Sequence, residues 1–132
     1  MSQDAVAVVL EANQKLLDAI AKGDWSTYAD LCDASLTAFE PEALGHLVHG
    51  LDFHKFYFQL GGGSSHKPQN SIVDPHVRII GDVAVVSYYR LTQFVDAGGN
   101  PGVRGTEETR IWQRQNGAWK HVHFHRSPSQ KS

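Results

Sequence analysis

The chain reads as an α+β domain, with helices packed on a curved antiparallel sheet. Two observations predict it. Apolar residues recur at near-helical spacing through the N-terminal part, and from residue 71 they alternate along runs separated by turn residues. Helices that precede the strands, rather than interleave with them, belong on one face of the sheet.

Residues 4–22 form the first helix, with Val6, Val9, Leu10, Leu16, Leu17 and Ile20 on its apolar side and Gly23 as its stop. Asp24 caps a short second helix that runs through Cys32 and buries Trp25, Tyr28, Leu31 and Cys32. LTAFE (36–40) is a brief strand ended by Pro41. Asp52 caps a third helix, FHKFYFQL (53–60), which turns Phe53, Phe56, Tyr57 and Leu60 inward. GGGSSHKP (61–68) is a flexible loop. Four strands follow: SIVDPHVRII (71–80), VAVVSYYRLTQFV (83–95), RGTEETRIWQRQ (104–115) and AWKHVHFHR (118–126). Gly81-Asp82, DAGGNPG and Asn116-Gly117 join them into a meander. The domain covers residues 4–127, and residues 128–132 are a disordered tail.

In strand 83–95 one face carries Val83, Val85, Tyr89, Leu91 and Val95, and the other Val86, Tyr88 and Phe94. Both faces are apolar, so both need covering. The N-terminal helices can cover one. Another copy of the chain is the simplest cover for the other, which predicts a homo-oligomer.

A hydrophobic share of 41% and a charged share of 20% suit a globular domain. A net charge of −2 without basic clusters argues against nucleic acid or an anionic membrane as partner. No apolar run approaches the ~20 residues of a membrane span, and the N-terminus lacks the pattern of a signal peptide. The single cysteine, Cys32, has no internal disulfide partner. It reads as a small buried hydrophobe rather than a catalytic thiol, in a cytoplasmic protein.

Arg90 shares a face with Val86, Tyr88 and Phe94; Arg126 with Val122 and Phe124; Arg110 alternates with Glu108 and Trp112. Guanidinium groups on aromatic faces are costly unless paired. Either each pairs with Glu107, Glu108 or another acid, or together they form an anion pocket, since arginine's fork matches a carboxylate. His54 is a further donor for such a pocket. Alternation places His121, His123 and His125 on one face, a spacing some zinc sites use, but three in line fit a tetrahedral ion poorly. They read as a surface or interface stripe, and neither metal nor cofactor is expected. A general acid–base enzyme is the competing reading, but the pocket candidates are mainly arginines, which serve poorly as bases.

The segments LCDASLTAFEPEALGHLVHGLDFHKFYF, PHVRIIG, YRLTQFVDAGG and EETRIWQRQNGAWKHVHFHRS carry a resemblance. From about Val6 to Ser127 the chain resembles the association, or hub, domain of Ca2+/calmodulin-dependent protein kinase II. The resemblance implies a cone-like fold shared with nuclear transport factor 2 and SnoaL-type cyclases. It implies assembly into two stacked rings that organise kinase holoenzymes. It also implies a pocket for γ-hydroxybutyrate-like carboxylates at His54, Arg90, Arg110 and Arg126. The chain has no glycine-rich nucleotide loop, no H-R-D and no D-F-G, so no kinase activity is expected of it. A stand-alone enzyme or binding protein of the SnoaL or ketosteroid-isomerase kind is the alternative.

Overall fold

The computed structural model describes residues 2–60 and 66–129. Helix α1 spans Ser2–Lys22 and buries Val9, Leu16, Leu17 and Ala19. Gly23, at φ 72°, turns the chain out of the helix, and the Asp24 N–H donates back to the Ala19 carbonyl at 2.9 Å. Asp24 then caps α2 (Trp25–Leu31) as expected, its carboxylate accepting from the Thr27 N–H at 3.2 Å. The helix stops one residue earlier than predicted, and Cys32 opens strand β1 (Cys32–Phe39). Cys32 is buried, and burial pushes its thiol pKa up to about 12, so it packs as a hydrophobe.

A 3-10 turn (Pro41–Ala43) and the two-residue strand β2 (Val48–His49) lead to α3 (Asp52–Gln59). The third helix differs from its sequence reading in two ways. Asp52 is its first helical residue, and the capping position is Leu51, without a side-chain bond. Phe53 packs inward as expected, together with Leu51, His54 and Phe58, while Phe56, Tyr57 and Leu60 stand 57%, 43% and 66% exposed. In so aromatic a segment, hydropathy does not say which side is buried. The aromatic cluster of Trp25, Tyr28 and Phe58 decides it, with ring centroids 4.9–5.7 Å apart.

Strands β3 (Gln69–Ile80), β4 (Val83–Val95), β5 (Pro101–Gln115) and β6 (Ala118–Pro128) form the expected antiparallel meander. The complete sheet has six strands in the order β2-β1-β6-β5-β4-β3. It is mixed rather than antiparallel, because β1 lies parallel to β6. Parallel neighbours need a long connection, and everything from the 3-10 turn to β5 supplies it. The glycine-rich loop 61–65 and residues 130–132 lie outside the described residues. Pro128 still belongs to β6, and the Ser129 N–H donates to the Gly105 carbonyl at 3.0 Å. The strand thus takes in the first residue of the segment expected to be a tail.

Two bulges bend the meander. One lies between Val73 and His76, where Asp74 takes φ 53°. In the other, Ile111 and Trp112 face His123 and His121, which leaves Val122 as an extra residue. This bulge breaks the alternation on which the three-histidine stripe relied. His121 turns inward, fully buried, and His123 and His125 turn outward. Gly105 is required by close approach: a Cβ there would stand 1.7 Å from the Tyr89 hydroxyl.

All three helices lie on the concave face. Trp112 Nε1–H donates to Asn13 Oδ1 at 2.9 Å, and Asn70 Nδ2–H to the Leu17 carbonyl at 3.1 Å, fastening α1 to the sheet. Ala84, Val86, Trp112 and Phe124 complete the core beneath. Among the described residues, no helix covers the outer face.

Candidate functional site

Where α1 and α2 leave the cone open, a cavity of about 610 Å3 lies between α3, the 3-10 turn and the concave ends of β4, β5 and β6. His54, Arg90, Arg110 and Arg126 all line it. Alternation delivers Arg90 and Arg110 from adjacent strands. The Val122 bulge lets Phe124 and Arg126 follow His121 onto the same face.

Glu108 organises the floor. It is 3% exposed and shares the inner face with Arg110 two residues on and with Tyr88 opposite. Its oxygens accept from Arg90 Nη1 at 2.7 Å, from Arg110 Nη2 at 3.0 Å and from the Tyr88 hydroxyl. Burial alone would raise its carboxyl pKa, but Arg110 and then Arg90 outweigh burial and hold it at about 2. Arg110 is 1% exposed; its Nε–H also reaches the Tyr88 oxygen at 3.0 Å, and its plane lies 4.3 Å over the Phe124 ring. Burial opposes its charge, yet Glu108 and the tyrosines more than offset this. His121 stands behind it, Nε2 3.3 Å from Arg110 Nη1, kept neutral by burial and by that guanidinium.

The rim is looser. Arg126 bonds Glu42 and stands 3.6 Å from Glu40. Glu40 Oε2 lies 3.3 Å from His54 Nδ1. The pair is not an ion pair of full charges. Burial, and then Arg110 and Arg126, lower His54 to about 4, while burial raises Glu40 to about 6 despite Arg126. Three buried polar atoms here have no hydrogen-bond partner: Glu40 Oε2, His54 Nε2 and Arg90 Nε. Tyr28, Tyr57, Phe58 and Phe124 supply the apolar wall.

Of the two sequence readings, paired arginines or an anion pocket, the structure shows the pairing, around a cavity that the same side chains line. Two of them pair with Glu108, one with Glu42, and all three line the cavity. Glu108 was legible as a candidate partner. Glu40 was not, because nothing in the pattern shows that the turn after Pro41 folds it back over the cone. Among the described residues, no group of three His, Cys, Asp or Glu side chains is placed to hold a metal ion.

The profile of the calcium/calmodulin dependent protein kinase II association domain matches residues 4–130. A calcium/calmodulin-dependent protein kinase type II subunit delta from Oryctolagus cuniculus is 49% identical over 123 residues, 92% of this chain. The chain spans only 23% of that relative's length. A Ca2+/calmodulin-dependent protein kinase II hub homology domain from Chlamydomonas reinhardtii superposes with a TM-score of 0.90 at 51% identity, covering 96% of this chain and 99% of that one. The association domain from C. elegans gives 0.88 at 44% identity, covering 95% and 96%. A nuclear transport factor 2-like protein from Salmonella enterica gives 0.81 at 20% identity, covering 100% and 96%, which shows the shared fold alone. An open α+β cone with its helices packed on the concave face, matched over nearly its whole length, leaves one assignment: the chain belongs to the Ca2+/calmodulin-dependent protein kinase II association-domain family.

Proposed function

We propose that the chain is a self-association hub, that its copies assemble into stacked rings in the cytoplasm, and that its cavity binds a small carboxylate. The observation that carries the association reading is the sheet's outer face. Val85, Ile111, Tyr89, Leu91 and Val73 stand on it by register, with no helix over them among the described residues. Obligate interfaces are built from such surfaces. Kinase domains tethered to the ring would act on one another at the effective concentration set by their linkers.

The carboxylate reading rests on His54, Arg90, Arg110 and Arg126 around one cavity and on the partnerless Arg90 Nε. Arg110 is committed to Glu108 and contributes mainly its field. A ligand carboxylate would bond the free Arg90 N–H and take the place of Glu42 on Arg126. Each charge-assisted bond contributes roughly 1.5–3 kcal/mol net, while displacement of Glu42 subtracts from it, so affinity is modest and improves when an apolar group fills the aromatic wall. A melting-temperature titration tests this. 4-Hydroxybutyrate should raise the melting temperature and its amide should not. Arg126→Ala should abolish the shift, and Lys120→Ala should keep it. Equal shifts from acid and amide, or an unchanged response in Arg126→Ala, would sink the carboxylate reading.

A further inference from the structure

We infer that the outer face of the sheet is an acid-sensitive self-association surface, across which neutral histidines of two copies pack and charged histidines repel. The inference rests on the self-association reading above. Strand register supplies the observation. In one row across the sheet, His49 stands opposite Thr37, Thr37 opposite His123, His123 opposite Ile111, and Ile111 opposite Val85. In the next row, Phe39 stands opposite His125, His125 opposite Thr109, Thr109 opposite Ser87, and Ser87 opposite His76. Four of the chain's eight histidines therefore fall in two adjacent rows of one face.

Side-chain contacts agree with the register. His123 Nδ1 lies 2.7 Å from Thr37 Oγ1, Ser87 and Thr109 hydroxyls are 3.2 Å apart, and the Phe39 ring lies 5.4 Å from that of His125. Ser87, Thr109, His123 and His125, together with Glu107 and Ile111, line a shallow groove.

The occupant is argued from charge. In and beside these rows the register places one acid, Glu107 on β5, and two permanent cations, Arg78 on β3 and Lys120 on β6, the latter bonded to the Asp30 carbonyl. Asp74 sits at the β3 bulge, two residues from His76. With neutral histidines the face is close to uncharged and can meet a second copy of itself without like-charge repulsion. With protonated histidines each copy brings four more positive charges to the same seam. Burial, and then His125, already lower the His123 pKa in a single copy. A covering copy lowers it further, so the assembly binds fewer protons than the separated copies. Association is then complete at alkaline pH and is lost as pH falls into the range where these imidazoles take up protons.

Sedimentation velocity at about pH 8 and about pH 6 reads this directly, since that interval spans imidazole titration, with circular dichroism recorded at both. The chain should sediment as a large oligomer at the higher pH and as small species at the lower, with its dichroism unchanged. A variant with His49, His76, His123 and His125 all replaced by Gln should stay large at both. Unchanged size at the lower pH, dissociation accompanied by unfolding, or a Gln variant that dissociates as the parent does would each overturn the inference. Small species at both pH values would overturn the association reading as well. If the fourfold variant does not assemble, His125→Gln alone should make the transition less steep, and unchanged steepness would count against the inference.

Discussion

Glu108, Arg90, Arg110 and Tyr88 form a buried polar floor whose members depend on one another. Removing Arg110 would leave a nearly water-free carboxylate with half its counter-charge, and breaking such a pair costs about 3–5 kcal/mol. Arg110→Ala should therefore lose that much in urea unfolding, whereas Arg126→Ala, partly exposed at the rim, should lose about 1 kcal/mol or less. That contrast makes Arg126 the informative position for ligand binding. His54 gives a pH signature. Its folded pKa of about 4 lies below the ordinary 6.5, so its contribution is complete above 6.5 and is lost as pH falls toward 4. Between about pH 7 and about pH 5 this amounts to roughly 2 kcal/mol. Glu40, raised to about 6, acts in the opposite sense, gaining stability as pH falls. His54→Gln isolates the histidine: its unfolding free energy should fall by about 2 kcal/mol less over that interval. A parallel fall in variant and parent would show that His54 does not titrate as described.

Among the polar bonds that hold helix α1 to the sheet, the one between two buried side chains runs from Trp112 Nε1–H to Asn13 Oδ1. Asn13 Nδ2 has no partner, so this bond is all that repays burying the amide. Trp112→Phe should cost about 1–3 kcal/mol, because Asn13 becomes wholly unpaired. Its partner variant, Asn13→Leu in the same background, should recover part of that loss in thermal unfolding; no recovery would assign the cost to packing alone. The existence and type of these elements were legible wherever a period was long enough to read: α1 from its apolar spacing, and β3 to β6 from alternation and turn residues. Legibility failed where a single residue resets the phase. Val122 is ordinary in sequence, yet as a bulge it sends His121 inward and His123 outward. Helix α3 was legible but its buried side only in part, since apolar and aromatic residues surround it and tertiary contact with Tyr28 and Phe124 selects the His54 side.

At the scale of the molecule, the helices cover one face of the cone and, among the described residues, leave the other bare. The bare face was legible, because Val85, Tyr89 and Leu91 alternate with Val86 and Tyr88 in the same strand. The parallel β1–β6 pairing was not, because it joins strands on either side of the whole meander and leaves no local trace. Nor was the rim of the cavity, which depends on how one short turn places Glu40 and Glu42. The apolar side chains left on the outer face make an isolated copy the unfavourable state, and self-association removes that surface from water. The direct measurement is the mass of the assembled chain at neutral pH and micromolar concentration, by sedimentation equilibrium or native mass spectrometry. A stacked-ring hub predicts a single large species of many copies, reduced to small species when Ile111, central on the outer face, is replaced by Asp. A chain that remains monomeric or dimeric across that concentration range would contradict it.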